Sequence, residues 1–295
     1  MSNIVYRNQA EVKRHWQDAD LRPANACKNI LIGGAPRTGT TMLQGILCTD
    51  PRCNPLIGEV APLRFLVDAF DKSRRHTKAN IGKIYDSADD IQSLYHGYVD
   101  QFLADLKQRY SAEYLVVKEP EFTKNIPALV DVYPDWLFVI IIRDPRATIA
   151  SMLKWGERMQ TLGSHLFKTR NMDELCKFYN GFYIPLIRRE YEALWSNLMF
   201  VRYEDIVDKN KNTVSRLAGF TGLDLRNYEK GGSWGRTRID FDKERQSGNV
   251  SITGLYGKPI TKRAQMGYKK VLGWWELKAI AKHCARFMRY FDYLR

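Results

Sequence analysis

The stretch Gly34-Ala35-Pro36-Arg37-Thr38-Gly39-Thr40-Thr41 follows the apolar run Asn29-Ile30-Leu31-Ile32 and leads into Met42-Leu43-Gln44-Gly45-Ile46-Leu47. The order reads as a buried strand, a glycine-bounded loop and a helix start. Such a loop turns successive backbone N–H groups and a helix N-terminus toward one point, where a phosphate can sit. The spacing matches the phosphate loop G-x-x-x-x-G-K-[ST] with one departure: Thr40 stands in the place of the lysine. That lysine serves the β- and γ-phosphates of a nucleoside triphosphate. Its absence, with Arg37 inside the loop, argues for a nucleotide without a γ-phosphate. Taken without its neighbours, the stretch also fits an ordinary Gly/Pro turn before a helix.

Three more apolar runs extend the pattern: Tyr114-Leu115-Val116-Val117, Leu137-Phe138-Val139-Ile140-Ile141-Ile142 and Asn197-Leu198-Met199-Phe200-Val201-Arg202-Tyr203. Continuous β-branched runs suit strands buried on both faces. Helical spacing lies between and after them, over 90–110, 126–132, 147–155, 172–193, 213–220 and 274–290. Strands alternating with helices predict an α/β fold, a P-loop-like central parallel sheet flanked by helices in a single domain. In such a sheet ligands sit beyond the carboxyl ends of the strands. Residues 29–295 are read as that domain, with 1–28 as an N-terminal arm or short helix. Residues 225–268, rich in Gly, Lys, Arg and Asp, are read as irregular, a lid or substrate-binding loop.

The 295 residues carry 46 Lys and Arg against 33 Asp and Glu, a net charge of +13, which favours anionic partners. No helix-turn-helix, aromatic RNA-binding run or zinc finger accompanies the charge, so no specific nucleic acid is expected. No apolar run has the length of a membrane span, and the first residues carry no secretory apolar core. A cytoplasmic protein, or the soluble catalytic part of an anchored enzyme, is the expectation. Five scattered cysteines without a C-x-x-C point to buried thiols and away from a zinc site or a disulfide framework. Tyr85, Tyr95, Trp155 and the Trp274-Trp275 pair are aromatic surfaces on which an acceptor can stack, with core packing as the plainer reading.

The third strand runs into Arg143-Asp144-Pro145-Arg146-Ala147-Thr148-Ile149-Ala150-Ser151. Arg143 stands at the strand exit and Ser151 about two turns into the following helix. An arginine fork and a hydroxyl placed so can flank one anion. By itself the segment also reads as a helix capped by Asp144 with Pro145 in its first turn. The pair of motifs, strand–P-R-T-G-T-T–helix and strand–R-D-P-R-x-x-x-x-S–helix about a hundred residues apart, resembles the sulfotransferase family. That resemblance implies 3′-phosphoadenosine 5′-phosphosulfate (PAPS) as sulfuryl donor. It assigns Arg37, Thr38, Gly39, Thr40 and Thr41 to the 5′-phosphosulfate, and Arg143 and Ser151 to the 3′-phosphate.

Further segments are similar to the tyrosylprotein sulfotransferases: Leu56-Ile57-Gly58-Glu59, whose glutamate is implied as general base, and Val116-Val117-Lys118-Glu119-Pro120, whose lysine is implied to meet the leaving phosphosulfate. Val201-Arg202-Tyr203-Glu204-Asp205 resembles a strand-end Tyr-Glu segment close to the adenine, which places Tyr203 there. The histidine that cytosolic sulfotransferases carry just after the lysine is missing from Lys118-Glu119-Pro120-Glu121-Phe122-Thr123. The implied catalytic set is therefore Glu59, Lys118 and Arg37, with no metal. Ser251, Lys262, Lys269 and Lys270 are candidates for closing over the nucleotide. The acceptor is a hydroxyl on a glycan, lipid, small molecule or tyrosine, with an anionic acceptor among those the charge favours. Two rival readings remain at this level: a P-loop kinase or NTPase-like phosphotransferase, which Thr40 argues against, and a non-catalytic polyanion-binding protein, for which a phosphate loop has no use.

Overall fold

The computed structural model describes residues 29–80, 83–160, 167, 169–188, 196–229, 232–249, 252–262 and 267–294. The arm expected over 1–28 lies outside them. Strands β1 (Asn29–Gly33), β2 (Leu115–Lys118), β3 (Leu137–Ile142) and β4 (Leu198–Arg202) form one parallel sheet in the order β2-β1-β3-β4. Their unbroken apolar character follows from double-sided burial. Leu31, Leu115, Val117, Phe138, Ile140, Ile142 and Phe200 face one hydrophobic cluster. Ile30, Ile32, Val116, Val139, Ile141, Met199 and Val201 face the other. The strand period of two thus splits each run between two cores.

The helices are α1 (Thr40–Leu47), α2 (Ala61–Asn80), α3 (Ala88–Tyr110), α4 (Ile126–Val132), α5 (Pro145–Gln160), α6 (Met172–Tyr183), α7 (Tyr203–Val207), α8 (Lys211–Thr221), α9 (Arg226–Glu229), α10 (Phe241–Gln246), α11 (Trp274–His283) and α12 (Ala285–Tyr290). A capping box, Ser87 with Asp90, starts α3, and Gly222 in the left-handed region ends α8. The helix expected over 172–193 runs to Tyr183, and residues 189–195 lie outside the described set. The helix expected over 274–290 is divided at Cys284, although Cys284 N–H still reaches the Ile280 carbonyl and Met288 N–H the Cys284 carbonyl. Residues 225–268 are less irregular than expected, since α9 and α10 lie within them. Helix α2 was not expected; its Pro62 occupies the first turn, where no N–H is needed. No helix among the described residues is long and apolar enough to cross a membrane.

The order β2-β1-β3 means that the chain leaves β1 toward one side and later returns to the other. The reversal opens a crevice between the carboxyl ends of β1 and β3, the place where open α/β sheets bind ligands.

Candidate active site

The loop after β1 is held from behind by the core. Gly34 N–H donates to Thr123 Oγ1 (2.6 Å) and Ala35 N–H to the Tyr183 hydroxyl (2.8 Å), which itself donates to the Ile141 carbonyl (3.0 Å). Thr38 Oγ1 donates to the Ala35 carbonyl (2.7 Å), as does its N–H (3.2 Å), so Thr38 shapes the loop from within. Arg37 sits at φ 73 and Gly39 at φ 107, both in the left-handed region. At Gly39 a Cβ would meet Tyr203 Cδ2 at 2.8 Å, which is why no side chain fits there. Helix α1 begins directly after it with no side-chain cap and no acid in the first turn. Its N-terminus is therefore an electropositive end with no carboxylate of its own.

Arg143, at the exit of β3, meets this loop. Its Nη1 donates to the Arg37 carbonyl at 3.1 Å, and its guanidinium lies 4.3 Å from the centre of the Tyr203 ring. The Arg143 carbonyl accepts from Tyr179 Oη (2.7 Å), and the next N–H, of Asp144, donates to Glu204 Oε1 (3.1 Å). The backbone carrying Arg143 is thus fixed on both sides. Arg37, Gly39, Arg143, Ser151 and Tyr203 all line a single cavity of about 330 Å³. Burial lowers the affinity of Arg37 for its proton; Tyr256 opposes this, Arg158 and Arg143 add to it, and Glu59 opposes it. Three guanidinium groups crowded so closely favour an anion among them. The Tyr203 hydroxyl titrates higher than usual because it is buried, although Arg143 pulls it back.

A second cluster lies on the β2 side of α1. Lys118, 4% exposed, donates from Nζ to Thr41 Oγ1 (3.1 Å) and to Glu59 Oε1 (2.9 Å). Glu59, 55% exposed, is delivered by a segment that runs beside the end of β2, where Val60 N–H donates to the Lys118 carbonyl (3.1 Å). The same segment is fastened on its other side by residues 236–238, through Leu56 N–H to the Arg236 carbonyl and Arg238 N–H to the Leu56 carbonyl, both 2.9 Å. Glu119 turns away from this cluster toward Arg64 Nη1 (3.8 Å); burial, then the charge of Glu59, raises its pKa. Thr40 and Thr41 begin α1 between the two clusters.

Several lining residues were not anticipated. Lys154 and Arg158 follow Ser151 on α5 at spacings of three and seven, so one helical face carries all three toward the cavity. That spacing is visible in the sequence once Ser151 is singled out. Tyr256, Lys258 and Tyr268 complete the far wall. Tyr256 and Lys258 are pinned where Trp234 Nε1 donates to the Lys258 carbonyl (2.7 Å) and Arg245 Nη1 to the Tyr256 carbonyl (3.1 Å). Among the C-terminal candidates, Ser251 lies outside the described residues. Lys262 pairs with Asp208 at 3.0 Å. Lys269 and Lys270 are exposed on the short turn whose Gly267 and Tyr268 line the cavity. Among the described residues, no group of three or more His, Cys, Asp or Glu is placed to hold a metal ion.

The model of a family described as the sulfotransferase family matches residues 29–227. A putative protein-tyrosine sulfotransferase of Caenorhabditis briggsae is 32% identical over 196 residues, 66% of this chain and 65% of that protein. Protein-tyrosine sulfotransferase 1 of Danio rerio is 27% identical over 128 residues, 42% of this chain and 35% of that protein. The chain thus spans about a third to two thirds of the length of these curated relatives. The sulfotransferase domain from the curacin biosynthetic pathway shares the fold with a TM-score of 0.53 at 15% identity, over 90% of this chain and 99% of that one. The sulfotransferase domain from the Synechococcus PCC 7002 olefin synthase does so with a TM-score of 0.50 at 17% identity, over 92% and 98%.

Proposed function

The chain belongs to the sulfotransferase family, and from that premise we propose that it moves a sulfuryl group from PAPS to an acceptor hydroxyl. The observation that carries the reading is the meeting of two strand exits on one cavity, with Arg143 Nη1 on the Arg37 carbonyl and Ser151 across from them. The residues fit a doubly phosphorylated adenosine: three crowded guanidinium groups, an uncapped helix start and a tyrosine face share one crevice. When bound, PAPS supplies an activated sulfuryl group and a bisphosphate that departs with growing negative charge. Arg143 and Ser151 hold the 3′-phosphate, and Tyr203 lies beside the adenine. Arg37, the N–H groups at the start of α1 and the hydroxyls of Thr40 and Thr41 hold the 5′ side, in a loop whose shape Thr38 and Gly39 set.

Glu59 takes the proton of the acceptor hydroxyl. Its carboxylate lies 2.9 Å from Lys118 Nζ, and its exposure leaves it open to the acceptor. Lys118, already on Thr41 Oγ1, stands where an ammonium can meet charge that develops on the leaving oxygen. In this reading no step calls for a metal. The acceptor is a glycan, lipid, small-molecule or tyrosine hydroxyl, and the protein-tyrosine sulfotransferase relatives support the last.

Titration calorimetry with adenosine 3′,5′-bisphosphate tests the nucleotide site. Arg37→Ala and Arg143→Ala each remove a charged contact of about 1.5–3 kcal/mol, a loss of roughly ten- to 150-fold in affinity. Unchanged affinity in both variants overturns the assignment. A labelled-sulfate transfer screen across the four acceptor classes then tests the reaction itself.

A further inference from the structure

The exposed side of α11 and α12 carries a pattern that the nucleotide site does not use. Trp274 and Trp275, read from sequence as core residues, are 57% and 75% exposed. Lys278 Nζ lies 3.8 Å from the Trp274 ring centre and 5.7 Å from that of Trp275. Lys282, Arg286 and Arg289 are exposed along the same two helices. One backbone bond flanks Cys284 on each side, from Cys284 N–H to the Ile280 carbonyl and from Met288 N–H to the Cys284 carbonyl. At about 100° per residue, Trp274, Lys278, Lys282 and Trp275 of α11 fall within an arc of about 100°, and Arg286 and Arg289 of α12 lie about 60° apart. Ile280, Cys284, Phe287 and Met288 are buried in the core.

Acids near this stripe are few and mostly engaged. Glu276 is bound by Arg170 through two contacts of 2.9 Å, and Asp173 pairs with His283 at 2.9 Å. Asp292 is exposed near the end of α12. The stripe is therefore strongly cationic, with two adjacent indoles at one end.

We propose that this stripe docks the protein on a lipid bilayer with anionic headgroups. Each half of the pattern matches one layer of that surface. The indoles present an apolar body with a polar N–H, which suits the headgroup–acyl boundary, and the lysines and arginines meet the headgroup charge. An acidic protein or a nucleic acid would also satisfy the charges, and the test below tells them apart from a bilayer. Val271, three residues before Trp274, lines the nucleotide cavity, so docking brings the cavity wall close to the membrane. The inference does not depend on which reaction the cavity performs.

The test uses the unmodified chain with vesicles of phosphatidylcholine alone and of phosphatidylcholine with phosphatidylserine. The result expected is co-sedimentation with the anionic vesicles only, weakening as salt rises, and quenching of tryptophan emission by brominated acyl chains. Each basic group near a charged bilayer contributes about 1 kcal/mol, so Lys278→Gln with Lys282→Gln lowers affinity about 30-fold. Trp274→Ala with Trp275→Ala removes most of the quenching. Equal binding to neutral vesicles, no quenching in the unmodified chain, or tighter binding to heparin or single-stranded RNA than to anionic vesicles at the same ionic strength overturns the proposal. The quenching measurement needs no variant, so it decides the matter even if a substitution perturbs folding.

Discussion

Gly39→Ala probes the point at which the glycine loop, the Tyr203 ring and the sheet meet. Two costs arise. At φ 107 an alanine pays for a left-handed backbone, a penalty of roughly 1–3 kcal/mol. Its Cβ would also lie 2.8 Å from Tyr203 Cδ2 and 3.3 Å from Ile141 Cδ1. Overpacking of this kind costs about 1–3 kcal/mol. The sum, about 2–6 kcal/mol, is a large part of the 5–15 kcal/mol typical of a folded chain. The Tyr203 ring can relieve the clash only by moving, and it stacks 4.3 Å from the Arg143 guanidinium. Loss of affinity for adenosine 3′,5′-bisphosphate should therefore accompany the loss of stability. The assay is urea denaturation with nucleotide calorimetry, repeated in a Tyr203→Ala background. There the ring is gone, so the double variant should be more stable than additivity predicts, by about 1–3 kcal/mol. A Gly39→Ala midpoint equal to the parent's, or strict additivity with Tyr203→Ala, refutes the argument.

Glu59→Gln should retain affinity for adenosine 3′,5′-bisphosphate while sulfate transfer falls by about 10²–10⁴; full transfer in that variant would move the base elsewhere, with Glu121 the next candidate. Asp50 offers a pH test of stability. Burial opposes its ionisation, but the Arg52 side chain and the N–H groups of Asp224 and Arg52 outweigh burial and hold its pKa below the usual value. A carboxyl depressed in the folded state stabilises above its unfolded pKa, near 3.8, and loses that contribution as pH falls through the folded value. Asp50→Asn should therefore lower the urea midpoint near neutral pH, with the gap to the parent closing below about pH 4. A gap independent of pH would show that Asp50 acts through packing alone.

What the sequence made legible follows strand chemistry. The four apolar runs mark the strands because each strand is buried on both faces, and Arg37, Lys118, Arg143 and Tyr203 are legible because each sits at or just after a strand exit. Partners were harder to read. Glu119 and Glu121 are the nearest acids to Lys118 in sequence, and Arg64 is a near neighbour of Glu59. The fold pairs them otherwise: Lys118 with Glu59 and Arg64 with Glu119. The reason is the strand period of two, since successive residues point to opposite faces and Glu119 cannot follow Lys118 into the same cleft. The wall built by Tyr256, Lys258 and Tyr268 carries no periodicity; Tyr256 and Lys258 are placed by tertiary bonds to their carbonyls, from Arg245 Nη1 and Trp234 Nε1.

The lysine missing from the loop at Thr40 is replaced by topology. In the register of the sheet, Lys118 on β2 is level with Ile32 on β1, and Gly33 on β1 is level with Ile140 on β3. Because β2 and β3 flank β1 on opposite sides, each delivers one cation to the loop that β1 releases: Lys118 to Thr41 on one side, Arg143 to the Arg37 carbonyl on the other. A lysine inside the loop would add to the charge of Arg37 at the point where a γ-phosphate sits, and no proposed ligand presents one there. Two cations from two neighbouring strands instead suit an anion charged at both ends. If that division is right, Lys118→Met should slow transfer with little effect on adenosine 3′,5′-bisphosphate affinity, while Arg143→Ala should weaken affinity before it touches the chemical step. Single-turnover transfer at saturating donor separates the two, and equal effects of both variants on both quantities would show that the strands do not divide the work.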